Sequence, residues 1–199
     1  MIIVFAAVSK QQIRDFENGD IDKDQFIDIL INSERIELSQ IDRAINVLAD
    51  DDEFSEYWEI VGGGEILAGG DGSALVIDPI LFIDEENDSS DGGDGSDNGG
   101  GFQIMDPAVY MTNDEIKKGA AILETIDKEQ FKDAFDSKIK KLTKRSFLSK
   151  KKQALKESAG DIFEMLWNEI AVLRSFYEKV NDGENHAVIF SIYENEDFE

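Results

Sequence analysis

Glu56 and Glu59 flank an aromatic pair in Glu56-Tyr57-Trp58-Glu59. Aromatic rings stack on sugars and hydrophobic surroundings raise a carboxyl pKa, so this segment has the ingredients of a carboxylate-dependent hydrolase or a metal-assisted enzyme. With 44 acids in 199 residues, clusters of this kind also arise by chance, which devalues each of them. His186 is the single histidine. It opens an apolar run just after a loop and reads as a solvent-edge or capping residue. Glu56, Tyr57, Trp58, Glu59 and His186 are therefore candidate interaction or pocket residues, and none is assigned as catalytic, cofactor-binding or metal-ligating.

The remaining motifs weigh less. Asp20-Ile-Asp-Lys-Asp24 has the opening spacing of a calcium loop, but the sixth position is Gln25 and the twelfth is Ile31, where such a loop needs Gly and Glu. It reads as an acidic turn that caps a helix. Gly92-Gly-Asp-Gly-Ser-Asp97 matches one copy of a calcium-binding repeat that works only when stacked. No phosphate-binding Gly-rich signature opens a helix, and no nucleophile elbow is present. The chain has no cysteine, which excludes disulfides, thiolate zinc sites and cysteine nucleophiles. No cofactor is expected.

These residues need elements to position them. Met1 to Val8 is continuously apolar, and Lys10 follows rather than precedes it, so it reads as a buried strand and not a signal peptide. His186 to Tyr193 is rich in β-branched and aromatic residues and reads as a second strand, pairing beside the first at the sheet centre. Short helices are expected from Ser9, from Asp22 to Ile31, and from Ser39 through Leu48, with Ser9 and Ser39 as N-caps. The segment Asp52–Val61 is aromatic and partly buried, with helix and strand both open. Ala74–Ile77 and Ile80–Ile83 read as a strand interrupted at Asp78-Pro79. Asp84 to Gly101 carries no apolar side chain and reads as a mobile acidic loop at about residues 84–101 within a single domain spanning 1–199. Thr112-Asn-Asp-Glu115 is a capping box, a short helix follows Ile126-Asp127, and Asp161 to Val180 carries the longest amphipathic stripe. The fold class is α+β: a small mixed or antiparallel sheet holding both terminal strands, packed by short helices and one long C-terminal helix.

Charge is distributed unevenly. The net charge is -24; residues 1–111 hold 26 acidic and 5 basic side chains, and residues 112–199 hold 18 and 15. Residues 137–156 carry nine Lys or Arg and no acid. Solvation or pairing with the protein's own acids explains that run most simply, and a docking patch for an acidic protein is the next reading. The overall sign argues against nucleic acid or an anionic membrane as partner. No stretch approaches the ~20 apolar residues that span a bilayer.

Several segments in order, Met1–Val8, Tyr110–Leu123, Phe131–Asp136, Trp167–Val180 and Asn185–Phe190, resemble the YfbM-like family, bacterial proteins with a domain of unknown function. The likeness is best over residues 102–193 and at the first strand. It implies an α+β single domain in the bacterial cytosol and no established activity. The charge favours a non-enzymatic interaction module for a basic partner, with a toxin-neutralising, immunity-type protein as one specific version. A carboxylate-dependent hydrolase or metal-assisted enzyme near Tyr57 and Trp58 is the alternative. The expected location is cytoplasmic, and the oligomeric state is left open.

Overall fold

A computed structural model describes residues 2–49, 57, 59–62, 64–77, 106–145 and 149–192. Five strands form one sheet in the order β2-β1-β5-β4-β3: β1 Ile2–Ser9, β2 Arg35–Leu38, β3 Glu65–Ile66, β4 Val109–Met111 and β5 Asn185–Ile192. Every pairing is antiparallel. The two terminal strands run side by side through the centre, Ile2 opposite Ile192 and Ser9 opposite Asn185, as their apolar sequences predict. Both are buried on two faces, which is why neither alternates with polar residues.

The pleat sends alternate residues to opposite faces. Val4, Ala6 and Val8 of β1 join Val188 and Phe190 of β5 under helices α1 Lys10–Asn18 and α2 Lys23–Asn32, where Phe16 stacks on Phe26 at 4.5 Å. Phe5, Ala187 and Ile189 face the other way, into a larger core. That core is closed by α3 Ile41–Leu48, α4 Glu59–Gly62, α5 Asn113–Thr125, α6 Lys128–Arg145 and α7 Ser149–Val180. Phe5 is fully buried there, edge-on to Phe176 and Tyr177 at 6.2 and 6.1 Å. The molecule is thus three layers, with the sheet in the middle.

Local chemistry sets the helix starts. Ser9, Asp22 and Thr112 each cap a helix and close a capping box with Gln12, Gln25 and Glu115. The acidic turn at Asp20–Asp24 is therefore a helix start. α3 departs from expectation: its N-cap is Gln40 rather than Ser39, and no side chain of its own caps it. Glu169 of α7 takes over, accepting from the backbone of Gln40 and Ser39.

Other differences have clear reasons. The long C-terminal helix begins at Ser149, not Asp161, because Lys, Gln, Ala and Leu continue a helix without needing a buried stripe. α6 continues to Arg145 in the same way. Four residues of β2 were too few to register as an alternating strand. Ala74–Ile77 forms no ladder strand: Ala74 makes an isolated bridge to Ala68, and Leu75 exchanges single backbone bonds with Leu67 and Ala108. The segment Ile80–Ile83, the acidic loop at 84–101 and the tail 194–199 lie outside the described residues.

The Glu169 cap predicts a pH effect. Burial raises its carboxyl above the ordinary value, and Asp42 adds to this, while the Gln40 and Ser39 bonds oppose it. Its Oε2 is buried with no partner among the described residues. A raised folded-state pKa means that the folded protein holds the proton more tightly than the unfolded chain. The associated stability is present below the unfolded pKa and is lost as pH rises through the folded one. Glu169→Gln keeps an acceptor and removes the charge. Its stability relative to wild type is expected to improve between about pH 4 and pH 7 in urea unfolding, and a flat or falling difference would contradict the account.

Candidate functional site

The residues singled out in the sequence do not converge. Tyr57 is half-buried and packs against the larger core, on the α3–α7 side of the sheet. Glu59 opens α4, the short turn that carries buried Ile60 and Val61. Glu56 and Trp58 lie outside the described residues. His186 stands opposite Val8 in the β1–β5 register, so it belongs to the other face, beside α1.

His186 packs on Tyr110 of β4, ring centroids 5.6 Å apart. Burial holds its imidazole below the ordinary histidine range, and Lys10 and Arg14 push the same way; a backbone bond with Met111 and the charge of Glu115 oppose them. The ring is thus neutral at physiological pH. Its Nδ1 is buried and unpartnered among the described residues. Tyr110 donates its hydroxyl to Glu65 Oε2 at 3.0 Å. Burial pushes that phenol up to about 12, with Glu65 and Glu17 adding to the shift. A neutral, half-covered imidazole beside a phenol that keeps its proton makes a packed polar corner at the sheet edge. Tyr110 and Glu65 were not legible as its partners, because Glu65 and Tyr110 are 45 residues apart and meet only through the β3–β4 register.

Next to this corner lies an acidic shelf. Gly19 ends α1 in the left-handed conformation at φ 77°. The backbone of Gly70 sits against it so closely that a Cβ there would be 2.5 Å from the Gly19 nitrogen. Only glycine fits such an approach. The contact brings Asp71 to the same ≈250 Å³ cavity as Asp22. Asp71 accepts from the Ser73 backbone and hydroxyl at 2.9 and 2.6 Å, which holds its carboxyl below the usual range. Glu17, Asp20, Asp24 and Asp28 are exposed on the adjoining helices and turn, while Lys23 lines the cavity itself and Lys10 and Arg14 stand on α1. Asp20, Asp24 and Asp28 form no ion pair among the described residues.

A second concavity lies between α6 and α7. This open groove of ≈710 Å³ is floored by Phe135, Phe163 and Gly160. Its rim cations are already engaged, Lys128 with Glu164 at 2.8 Å and Lys132 with Asp136 at 3.1 Å. Among the described residues no group of three or more His, Cys, Asp or Glu is placed to hold a metal ion. Nor is any described helix long and apolar enough to cross a membrane.

The likenesses to known proteins agree with this architecture. Residues 96–191, which span β4, α5, α6, α7 and β5 up to Ser191, match the family described as Domain of unknown function (DUF1877). The chain is also similar to YfbM, a protein of unknown function from Escherichia coli whose crystal structure is solved. The TM-score is 0.57 at 17% identity, over 96% of this chain and 100% of YfbM. No curated protein matches the chain significantly. Residues 96–191 are thus similar to a family of unknown function, and the likeness to YfbM is one of fold.

Proposed function

We propose that this protein is a non-enzymatic interaction module of the cytoplasm that docks a strongly basic protein on its α1–α2 face. The carrying observation is the exposed run Glu17, Asp20, Asp22, Asp24 and Asp28, joined by Asp71 through the Gly19–Gly70 contact. Asp20, Asp24 and Asp28 form no ion pair among the described residues and keep their field for a partner, and the net charge of -24 reinforces it at long range. The polar corner at His186 and Tyr110 borders this face and supplies an aromatic rim. The sharpest version is neutralisation of a cationic nuclease toxin by covering its nucleic-acid surface, which needs this kind of acid array.

The test compares wild type with the triple variant Asp20→Asn, Asp24→Asn, Asp28→Asn. All three positions are exposed, so the variant should fold with stability within about 0.5 kcal/mol of wild type. With both proteins immobilised and exposed to lysate of the source organism, the expected result is one stoichiometric basic protein held by wild type, eluting only at high salt. The triple variant should release it at markedly lower salt. Equal retention by both proteins, or none by either, would sink the proposal.

A further inference from the structure

Phe135 of α6 and Phe163 of α7 meet at 5.7 Å between ring centroids and floor the ≈710 Å³ groove between the two helices. They are 4% and 7% exposed, so the floor is held in place before anything binds. Ala159 and Gly160 form the α7 wall. Gly160 lies inside a 32-residue helix, where glycine weakens the helix. No close contact requires it, because a Cβ there would meet nothing within 4 Å. The missing side chain leaves room for an incoming group against the α7 backbone. The rim is unevenly charged. Lys128 and Lys132, each 5.5 Å from the Phe163 ring centroid, are answered by Glu164 and Asp136. Glu129 and Asp161 line the same groove, are exposed, and form no ion pair among the described residues. The groove therefore sets an apolar floor beneath two unanswered carboxylates.

We infer that this groove docks a short basic amphipathic helix of a partner protein. Its apolar face would lie on Phe135, Phe163 and Gly160, with a flanking Lys or Arg toward Glu129 and Asp161. The occupant is helical because both walls are helices whose backbone groups are spent internally. Such walls offer no edge to an extended chain, so the partner must satisfy its own backbone. The groove runs along residues 128–136 of α6, about 12 Å at 1.5 Å per residue. That length matches two helical turns with anchors at i, i+3 or i+4, and i+7. The occupant is basic because the rim's own cations are answered and its unanswered charges are negative. A second copy of this chain is a poor occupant, since a net charge of -24 sets two such surfaces against each other. The groove is independent of the acidic α1–α2 face, which lies on the other side of the sheet.

The experiment titrates the full chain with a helical peptide of about four turns, Leu on one face and Lys on the other, followed by backbone amide NMR. Shift changes are expected at residues 128–136 and 159–164. A peptide with Glu in place of Lys should bind at least about tenfold more weakly, and so should the Lys peptide to the double variant Glu129→Lys, Asp161→Lys. Gly160→Leu separates binding from structure. Leucine suits a helix and has room there, so Tm should hold or rise while affinity falls at least about tenfold. Shifts centred on α1 and α2 would report general attraction to the acidic face and overturn the inference. Absence of binding, unchanged affinity in Gly160→Leu, or equal affinity for the two peptides would do the same. A fall in Tm for Gly160→Leu would mean that the chain itself needs the space, and the groove would be structural. Dimerisation of the free chain that Gly160→Leu abolishes would make a second copy the occupant and equally overturn the proposal.

Discussion

Tyr177→Ala is expected to destabilise the protein by about 3–5 kcal/mol, which lowers Tm by roughly 2–4 °C per kcal/mol at this chain length. The ring is wholly buried at the centre of the larger core, edge-on to Phe5 and tilted on Phe176. Its hydroxyl donates to the Ile60 carbonyl and lies 3.2 Å from Met111 Sδ. Burial, with the charge of Glu115 adding, pushes the phenol far above its ordinary pKa, so it stays a donor throughout the accessible range. Tyr177→Phe keeps the packing and strands the Ile60 carbonyl, a loss of about 1–3 kcal/mol. Gly119 reads the same contact from the other side. A Cβ there would sit 2.7 Å from Tyr177 Cε2 and 3.3 Å from Ile60 Cγ2. Gly119→Ala should therefore destabilise despite the helix gain of about 1 kcal/mol, because overpacking a held ring costs about 1–3. Gly160→Ala, where a Cβ meets nothing within 4 Å, isolates that gain and should stabilise. Thermal melts of the four variants decide it: a Tyr177→Ala loss under about 1 kcal/mol, or Gly119→Ala matching Gly160→Ala, would refute this picture of the core.

Much of the frame was legible because it rests on local chemistry. Apolar runs at both ends predicted two central strands, Ser9 and the acidic Asp20–Asp24 turn read as helix caps, and the Thr112–Glu115 capping box predicted a third helix start. What failed was set by tertiary contact. Ser39 looks like a cap, but the cap of α3 is a carboxylate from α7, about 130 residues away in sequence. The first turns of α7 are rich in lysine and carry no amphipathic stripe in sequence, so periodicity missed them. The site was less legible still. Tyr57 and His186 were grouped by residue type, yet they belong to opposite faces of the sheet, a distinction that only strand register can make. The acidic shelf shows the same limit: counting charges found its sign, whereas its shape depends on one glycine backbone resting on another.

Arg174→Ala is expected to cost about 3 kcal/mol, mostly through helix α5 rather than α7. α5 ends at Thr125 with no basic residue in its last turn, leaving its terminal carbonyls to be satisfied from elsewhere. Arg174 of α7 supplies the donor: its Nη2 donates to the Leu123 carbonyl and to the Ile126 carbonyl, the latter at 2.6 Å. The guanidinium also lies 5.7 Å from the Trp167 ring, an attraction worth roughly 0.5–1 kcal/mol. A cation at a helix C-terminus complements the dipole, and one charged donor serving two carbonyls is difficult to replace. Arg174→Lys retains the charge but loses the planar fork, so it should recover less than half of the loss. Arg174→Met retains the stem packing without any donor and should fall close to Ala. The discriminating readout is amide exchange: protection should drop first at Leu123 through Ile126, ahead of the sheet. If exchange instead rises uniformly, or if Met restores wild-type stability, then Arg174 acts by packing and the capping account is wrong.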